Sequence, residues 1–86
     1  MSTKEKLIER FKKLPNDFTF DELTRLLFFY GYQLDNKGQT SGSRVIFKRG
    51  DASISMHKPH PGIIIGRKTL KEIYKRIKHL KPLWDN

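Results

Sequence analysis

The chain has no cysteine, a single tryptophan, and no apolar run longer than the five residues from Leu26 to Tyr30. Without cysteine there is no disulfide scaffold, no thiol nucleophile and no cysteine-based zinc site. A run that short falls far below the roughly 18 apolar residues of a membrane span. The opening Met1-Ser2-Thr3-Lys4-Glu5-Lys6 lacks the apolar stretch of a signal peptide, so a cytoplasmic protein is expected. Length is also limited. At 86 residues the chain is expected to form one domain over 1–86, burying only roughly 60% of the surface its unfolded form exposes. That leaves room for one two-layer core but not for a deep cofactor cleft, and no cofactor is expected. With 36% hydrophobic and 12% aromatic residues, there is enough apolar material to fold, which argues against a basic disordered tail.

Acidic residues are scarce in one part only. Residues 1–36 carry six basic and six acidic groups, whereas residues 37–86 carry twelve basic and three acidic ones, and so hold the entire net charge of +9. A concentrated positive field attracts polyanions, with nucleic-acid phosphates the leading class. A basic surface that serves only solubility is the plain alternative.

Helix signals dominate the neutral part. Ser2 and Glu5 have capping-box spacing, and Leu7, Ile8, Phe11 and Leu14 then share one face until Pro15, which predicts a helix over Thr3 to Leu14. Residues 1–17 thereby form a helical extension. Thr19 and Glu22 form a second capping box, with Phe18 and Leu23 placed as a hydrophobic staple. Leu23, Leu26, Leu27 and Tyr30 supply the buried face of that helix, Phe28 and Phe29 widen it, and Gly31 is its expected stop.

Strand signals follow. Tyr32 to Leu34 is a short strand, and residues 35–43 are dense in turn formers. Arg44 to Lys48 alternates, with Val45 and Phe47 on one side and Arg44, Ile46 and Lys48 on the other. Arg49-Gly50-Asp51 reads as a hairpin turn rather than an adhesion tripeptide. Ala52, Ile54 and Met56 of the returning strand point inward, leaving Ser53, Ser55 and His57 on the polar, cationic face. A last helix starts near Arg67. Leu70, Ile73, Tyr74, Ile77 and Leu80 form its core stripe, with Lys68, Lys71, Lys75 and Lys78 nearly opposite. The order α-α-β-β-β-α predicts an α+β fold, a three-stranded antiparallel sheet covered on one face by helices.

Three groups of residues carry chemistry. The last-helix lysines, followed by Lys81, can each neutralise a phosphate as a flexible point charge, and Glu72 alone interrupts them. The Gly38–Ser43 loop offers glycines for close backbone approach and hydroxyls that donate to phosphate oxygens, although it lacks the Gly-Lys-Ser/Thr of a P-loop. His57-Lys58-Pro59-His60-Pro61 brings two imidazoles beside cations. Two such groups can act as base and acid when a ribose 2′-hydroxyl attacks its own phosphodiester. They fall short of a metal-ligand set, and no metal is assigned.

At these residues the sequence resembles the HicA family of toxin–antitoxin ribonucleases, the mRNA interferases. The resemblance runs over roughly Asp21 to Leu80 and rests on Gly31-Tyr32, Ser41-Gly42-Ser43-Arg44-Val45-Ile46-Phe47 and His57-Lys58-Pro59-His60-Pro61-Gly62. The first helix is similar to an extension found in one branch of the family. The resemblance implies a double-stranded-RNA-binding-domain-like fold, cleavage of mRNA by the toxin of a type II system, and neutralisation by a HicB-like antitoxin, expected to be acidic. It also exposes a departure, because the best-studied family members carry a catalytic histidine directly after the Gly-Ser pair, where this chain, like one branch it resembles, has Arg44. Arginine stays protonated and can steady a phosphate but cannot serve as a general base. The expected arrangement is therefore a metal-independent endoribonuclease in which His57 or His60 moves protons. Gly42, Ser43, Arg44, Lys48, Lys58, Lys68, Lys71, Lys75 and Lys78 would hold RNA phosphates. Two other readings stay open: an RNA-binding module without catalysis, and a domain whose basic face docks an acidic protein.

Overall fold

The computed structural model describes residues 3–35, 44–59 and 62–83. Its elements are α1 (Thr3–Lys12), α2 (Phe20–Phe29), β1 (Gln33–Asp35), β2 (Arg44–Arg49), β3 (Ala52–His57) and α3 (Arg67–Ile77). The strands form one antiparallel sheet in the order β1-β2-β3. Phe47, Ile54 and Met56 join Leu23, Leu26, Leu70, Ile73 and the other buried helix residues in one hydrophobic cluster. The expected α+β architecture, with helices on one face of the sheet, is the one observed.

Helix α2 starts and stops as its sequence dictates. The Thr19 hydroxyl accepts from the Glu22 N–H at 3.1 Å, and the Thr19 N–H donates to Glu22 Oε1 at 2.9 Å, completing the capping box. Phe18 and Leu23, the staple pair, are both fully buried. At the other end Gly31 adopts φ +91°. Its N–H donates to the Phe28 carbonyl at 3.0 Å, while the Tyr32 N–H donates to the Leu27 carbonyl at 2.9 Å. That pair of bonds is a Schellman stop, which glycine reaches without the steric cost a Cβ would add.

The boundaries differ from expectation in two places. Helix α1 ends at Lys12 rather than Leu14, because Leu14 turns into the left-handed region at φ 49° just before Pro15, whose ring disfavours a helical predecessor. The Leu14 carbonyl then accepts from Arg67 Nε at 3.1 Å, which ties the start of α3 to the end of α1. Strand β1 covers Gln33–Asp35 rather than Tyr32 to Leu34, since Tyr32 is taken up by the Schellman stop and buried. Ala52 lies on the inner face as expected but is exposed at the hairpin end. Ser2, and with it the first capping box, lies outside the described residues.

One polar cluster joins the helices. Arg10 donates from Nε to Glu22 Oε2 at 3.0 Å, from Nη2 to Glu22 Oε1 at 3.2 Å, and from Nη1 to Asp17 Oδ1 at 2.9 Å. Its guanidinium also lies 5.4 Å from the centre of the Phe18 ring. Glu22 thus closes the α2 cap and anchors α1 at once. Beside that cap the returning chain is held by two backbone bonds, Phe20 N–H to Ile63 carbonyl at 2.9 Å and Ile65 N–H to Phe18 carbonyl at 2.7 Å.

The Arg10 hydrogen bonds, aided by the Thr19 cap, hold the Glu22 carboxyl below its ordinary value of 4.5, against a partial desolvation that pushes the other way. A depressed folded-state pKa stabilises the fold above the unfolded value and loses that contribution as pH falls through the folded one. Urea unfolding should therefore show stability declining below about pH 4.5, and Glu22→Gln should flatten that decline. At pH 7 Glu22→Ala should cost about 2 kcal/mol, after allowing for solvent screening of the half-exposed Arg10.

Candidate nucleic-acid interface

The hairpin sets the geometry of the open sheet face. Arg49 pairs with Ala52 across Gly50-Asp51, and Gly50 has φ +56°, the positive value that a type II′ turn needs at its first central residue. Counting outward from that turn, Lys48 faces Ser53, Ile46 faces Ser55 and Arg44 faces His57. On the other side of β2, Gln33 faces Lys48 and Asp35 faces Ile46. Directly opposed residues of an antiparallel pair share a face, with Cβ atoms about 4.5–5.5 Å apart. Arg44 and His57 therefore stand side by side, on the face the helices leave uncovered.

Both side chains are exposed, and neither makes a hydrogen bond or ion pair among the described residues. Among the described residues, then, no partner takes up the donors of the Arg44 guanidinium or the ring nitrogens of the His57 imidazole beside it. Ser55 and half-buried Ile46 form the next row inward, so the floor beside the pair is partly apolar. This arrangement can hold a phosphate and exchange a proton within one side-chain length of it.

Other sequence-predicted residues fare unevenly. Lys48 Nζ meets Asp35 Oδ2 at 2.9 Å, so its charge is already answered within the sheet. Lys58, one step past His57 and hence on the helix side, places its Nζ 5.5 Å from the centre of the Phe20 ring. Lys68, Lys71, Lys75 and Lys78 are exposed on α3 and form no ion pair among the described residues. Gly42, Ser43 and His60 lie outside the described residues.

The last helix touches the sheet near the start of β3. The chain leaves β3 at His57, yet Arg76 Nη1 reaches the Ser53 carbonyl at 3.5 Å near the start of that strand. At the start of α3, Arg67 Nε donates to the Leu14 carbonyl at the end of α1. This start of α3 has Gly66 as N-cap with no side-chain cap and no acid in its first turn, so its positive dipole end stands uncompensated beside Arg67 and Lys68.

The chain matches the family described as HicA toxin of bacterial toxin–antitoxin systems over residues 20–79. The chain belongs to the HicA toxin family. No curated protein and no solved structure matches it. The matched segment of this HicA protein begins at α2 and ends just past α3, so both Arg44 and His57 fall inside it and α1 falls outside. The toxin role of a toxin–antitoxin pair follows from that membership. No helix among the described residues is long and apolar enough to cross a membrane.

Sequence reasoning placed Arg44 and His57 on one face but missed that they are direct partners. The signal was present, because a two-residue turn at Gly50-Asp51 determines every pair in the hairpin. Nothing comparable announces the Asp35–Lys48 pair, which depends on how β1 slides against β2.

Proposed function

We propose that this HicA toxin is a metal-independent endoribonuclease acting on mRNA, and that its reaction centre is the Arg44–His57 pair. The observation that carries this reading is their direct opposition on the open face. Arg44 binds the non-bridging oxygens of the scissile phosphate through its forked donors. The His57 imidazole accepts the proton of the adjacent ribose 2′-hydroxyl, whose oxygen then attacks phosphorus. The bond to the 5′-oxygen breaks, and that oxygen leaves with a proton from a second acid, the role assigned to His60. The products are a 2′,3′-cyclic phosphate and a 5′-hydroxyl. The α3 lysines hold flanking phosphates, and Gly42, Ser43 and Lys58 are assigned to the same backbone. Its partner is an acidic, HicB-like antitoxin drawn to this basic surface.

Proton transfer by a positioned group contributes typically 10²- to 10⁴-fold in rate. His57→Ala should lower the cleavage rate of a synthetic RNA by at least about 100-fold, with affinity for an uncleavable 2′-deoxy analogue almost unchanged. Arg44→Ala should reduce both. Cleavage by His57→Ala at the wild-type rate would assign the base elsewhere. If no RNA is cut by either protein while both bind it, the chain is a binding module.

Single-stranded RNA affinity should fall steeply with salt. Each phosphate neutralised contributes a slope of roughly −0.7 in log K against log salt, so Lys71→Ala/Lys75→Ala should flatten that slope by about 1.4. Lys48→Ala should change it little, given its pairing with Asp35.

A further inference from the structure

A second concave site lies away from the open sheet face. It is a groove of about 640 Å³ between α1 and the end of α3, with Phe11, Tyr30 and Tyr74 among its walls and Lys12, Lys78 and Lys81 around them. Its volume falls within the range of small-molecule sites. Much of it is built by α1 and by residues 80–82, all outside the segment matched to the family.

Tyr30 distinguishes this groove from an ordinary furrow between helices. The residue is only 7% exposed, yet its hydroxyl has no hydrogen-bond partner among the described residues. No fully buried side-chain oxygen among the described residues is left unsatisfied, so the hydroxyl keeps some contact with solvent, and Tyr30 is one of the residues that line the groove. Burial raises the Tyr30 pKa, with the Lys12 charge opposing and the Tyr74 phenol adding to the rise. The hydroxyl therefore stays protonated at neutral pH, a donor turned toward a neighbourhood that also holds Lys12 and Tyr74. The Tyr74 ring is half-buried, its centre 5.9 Å from that of Phe11 at an angle of 60°, leaving part of its surface open.

Aromatic faces suit a nucleobase, and hydroxyl and ammonium donors suit its phosphate. Glu5 and Glu9 line the same groove, with Glu9 3.4 Å from Lys12, and carboxylates accept hydrogen bonds from the amino groups of bases. Lys78 belongs both to this groove and to the exposed lysine stripe of α3. Lys78, the C-cap of α3, and Lys81, just beyond the helix, both line the groove.

We propose that the α1–α3 groove is a second RNA-contact site that receives one nucleotide of the bound strand, its base against Tyr74 and its phosphate at Lys78 and Lys81. The proposal rests on the reading of the chain as an RNA-binding toxin. It adds a site remote from the Arg44–His57 pair, built with the helix that precedes the family core. The remote site would set which stretch of RNA the toxin holds while a different phosphate is presented to His57.

The test titrates the full chain with 5′-AMP, using adenosine and inorganic phosphate as comparison ligands, and follows the tyrosine ring signals by NMR. Saturable shifts of Tyr30 and Tyr74, tighter for 5′-AMP than for either half alone, are expected. Tyr30→Phe removes one hydroxyl without altering the core shape, and Lys81→Ala changes an exposed side chain. Each should weaken 5′-AMP binding by at least about threefold, and Tyr74→Ala by about tenfold through lost stacking. Shifts confined to residues outside the groove, or unchanged affinity in Tyr30→Phe and Lys81→Ala, would overturn the proposal. A parallel titration with an uncleavable RNA separates the two readings. Equal RNA affinity in wild type and Lys81→Ala refutes the groove alone, whereas RNA binding by neither protein refutes the RNA reading on which it rests.

Discussion

The register of the β2–β3 hairpin is the constraint on which the candidate functional surface depends. Side chains alternate faces along a strand, so slipping one strand by a single residue would reverse its inner and outer sets. On β3 a slip would expose Ile54 and Met56 and drive Ser53, Ser55 and His57 toward the hydrophobic cluster. Burying a side chain such as Ile54 is worth about 1.5–3 kcal/mol, and an unpaired polar group in its place costs a comparable amount. The inner apolar pair of Phe47 and Ile54, and the Gly50 turn that begins the pairing, thus fix where Arg44 meets His57. The chemistry of the outer face is a by-product of packing on the inner one.

The helical layer has its own keystone in Glu22. One carboxylate completes the α2 cap with Thr19 and receives the Arg10 guanidinium of α1, while the strand-like bonds of Phe18 and Phe20 to Ile65 and Ile63 hold the segment that leads into α3. Through these links the electrically neutral first part of the chain builds a platform. The second part, which holds the whole net charge of +9, displays the open sheet face and the α3 lysines on it. Division of charge along the sequence becomes division of labour in space.

Features written within a few consecutive residues were legible in the sequence. The Thr19–Glu22 cap, the Gly31 stop, the alternation of β2 and β3 and the α3 core stripe depend on local geometry alone, and each is found as expected. Pairings between distant segments were not legible. Arg10 reaching Glu22, Asp35 capturing Lys48 and Arg67 reaching the Leu14 carbonyl depend on tertiary packing that no short window encodes. The left-handed turn at Leu14 belongs to the same class, because Pro15 signals a helix end without specifying how the chain departs. Of the histidine and glycine–serine elements that first suggested RNA chemistry, His57 is seen on the open face, while Gly42, Ser43 and His60 fall outside the described residues.

The central claim is that a guanidinium and an imidazole, held side by side by strand register, form the centre of a phosphodiester cleavage in which the ribose supplies the nucleophile and His60 the leaving-group proton. The most direct measurement is the chemistry of the RNA ends produced by the purified toxin in the presence of EDTA. The account predicts undiminished cleavage that leaves 2′,3′-cyclic phosphate and 5′-hydroxyl ends, with RNA made inert by 2′-O-methylation at the cut position. Cleavage abolished by EDTA, or products ending in 3′-hydroxyl and 5′-phosphate, would contradict it.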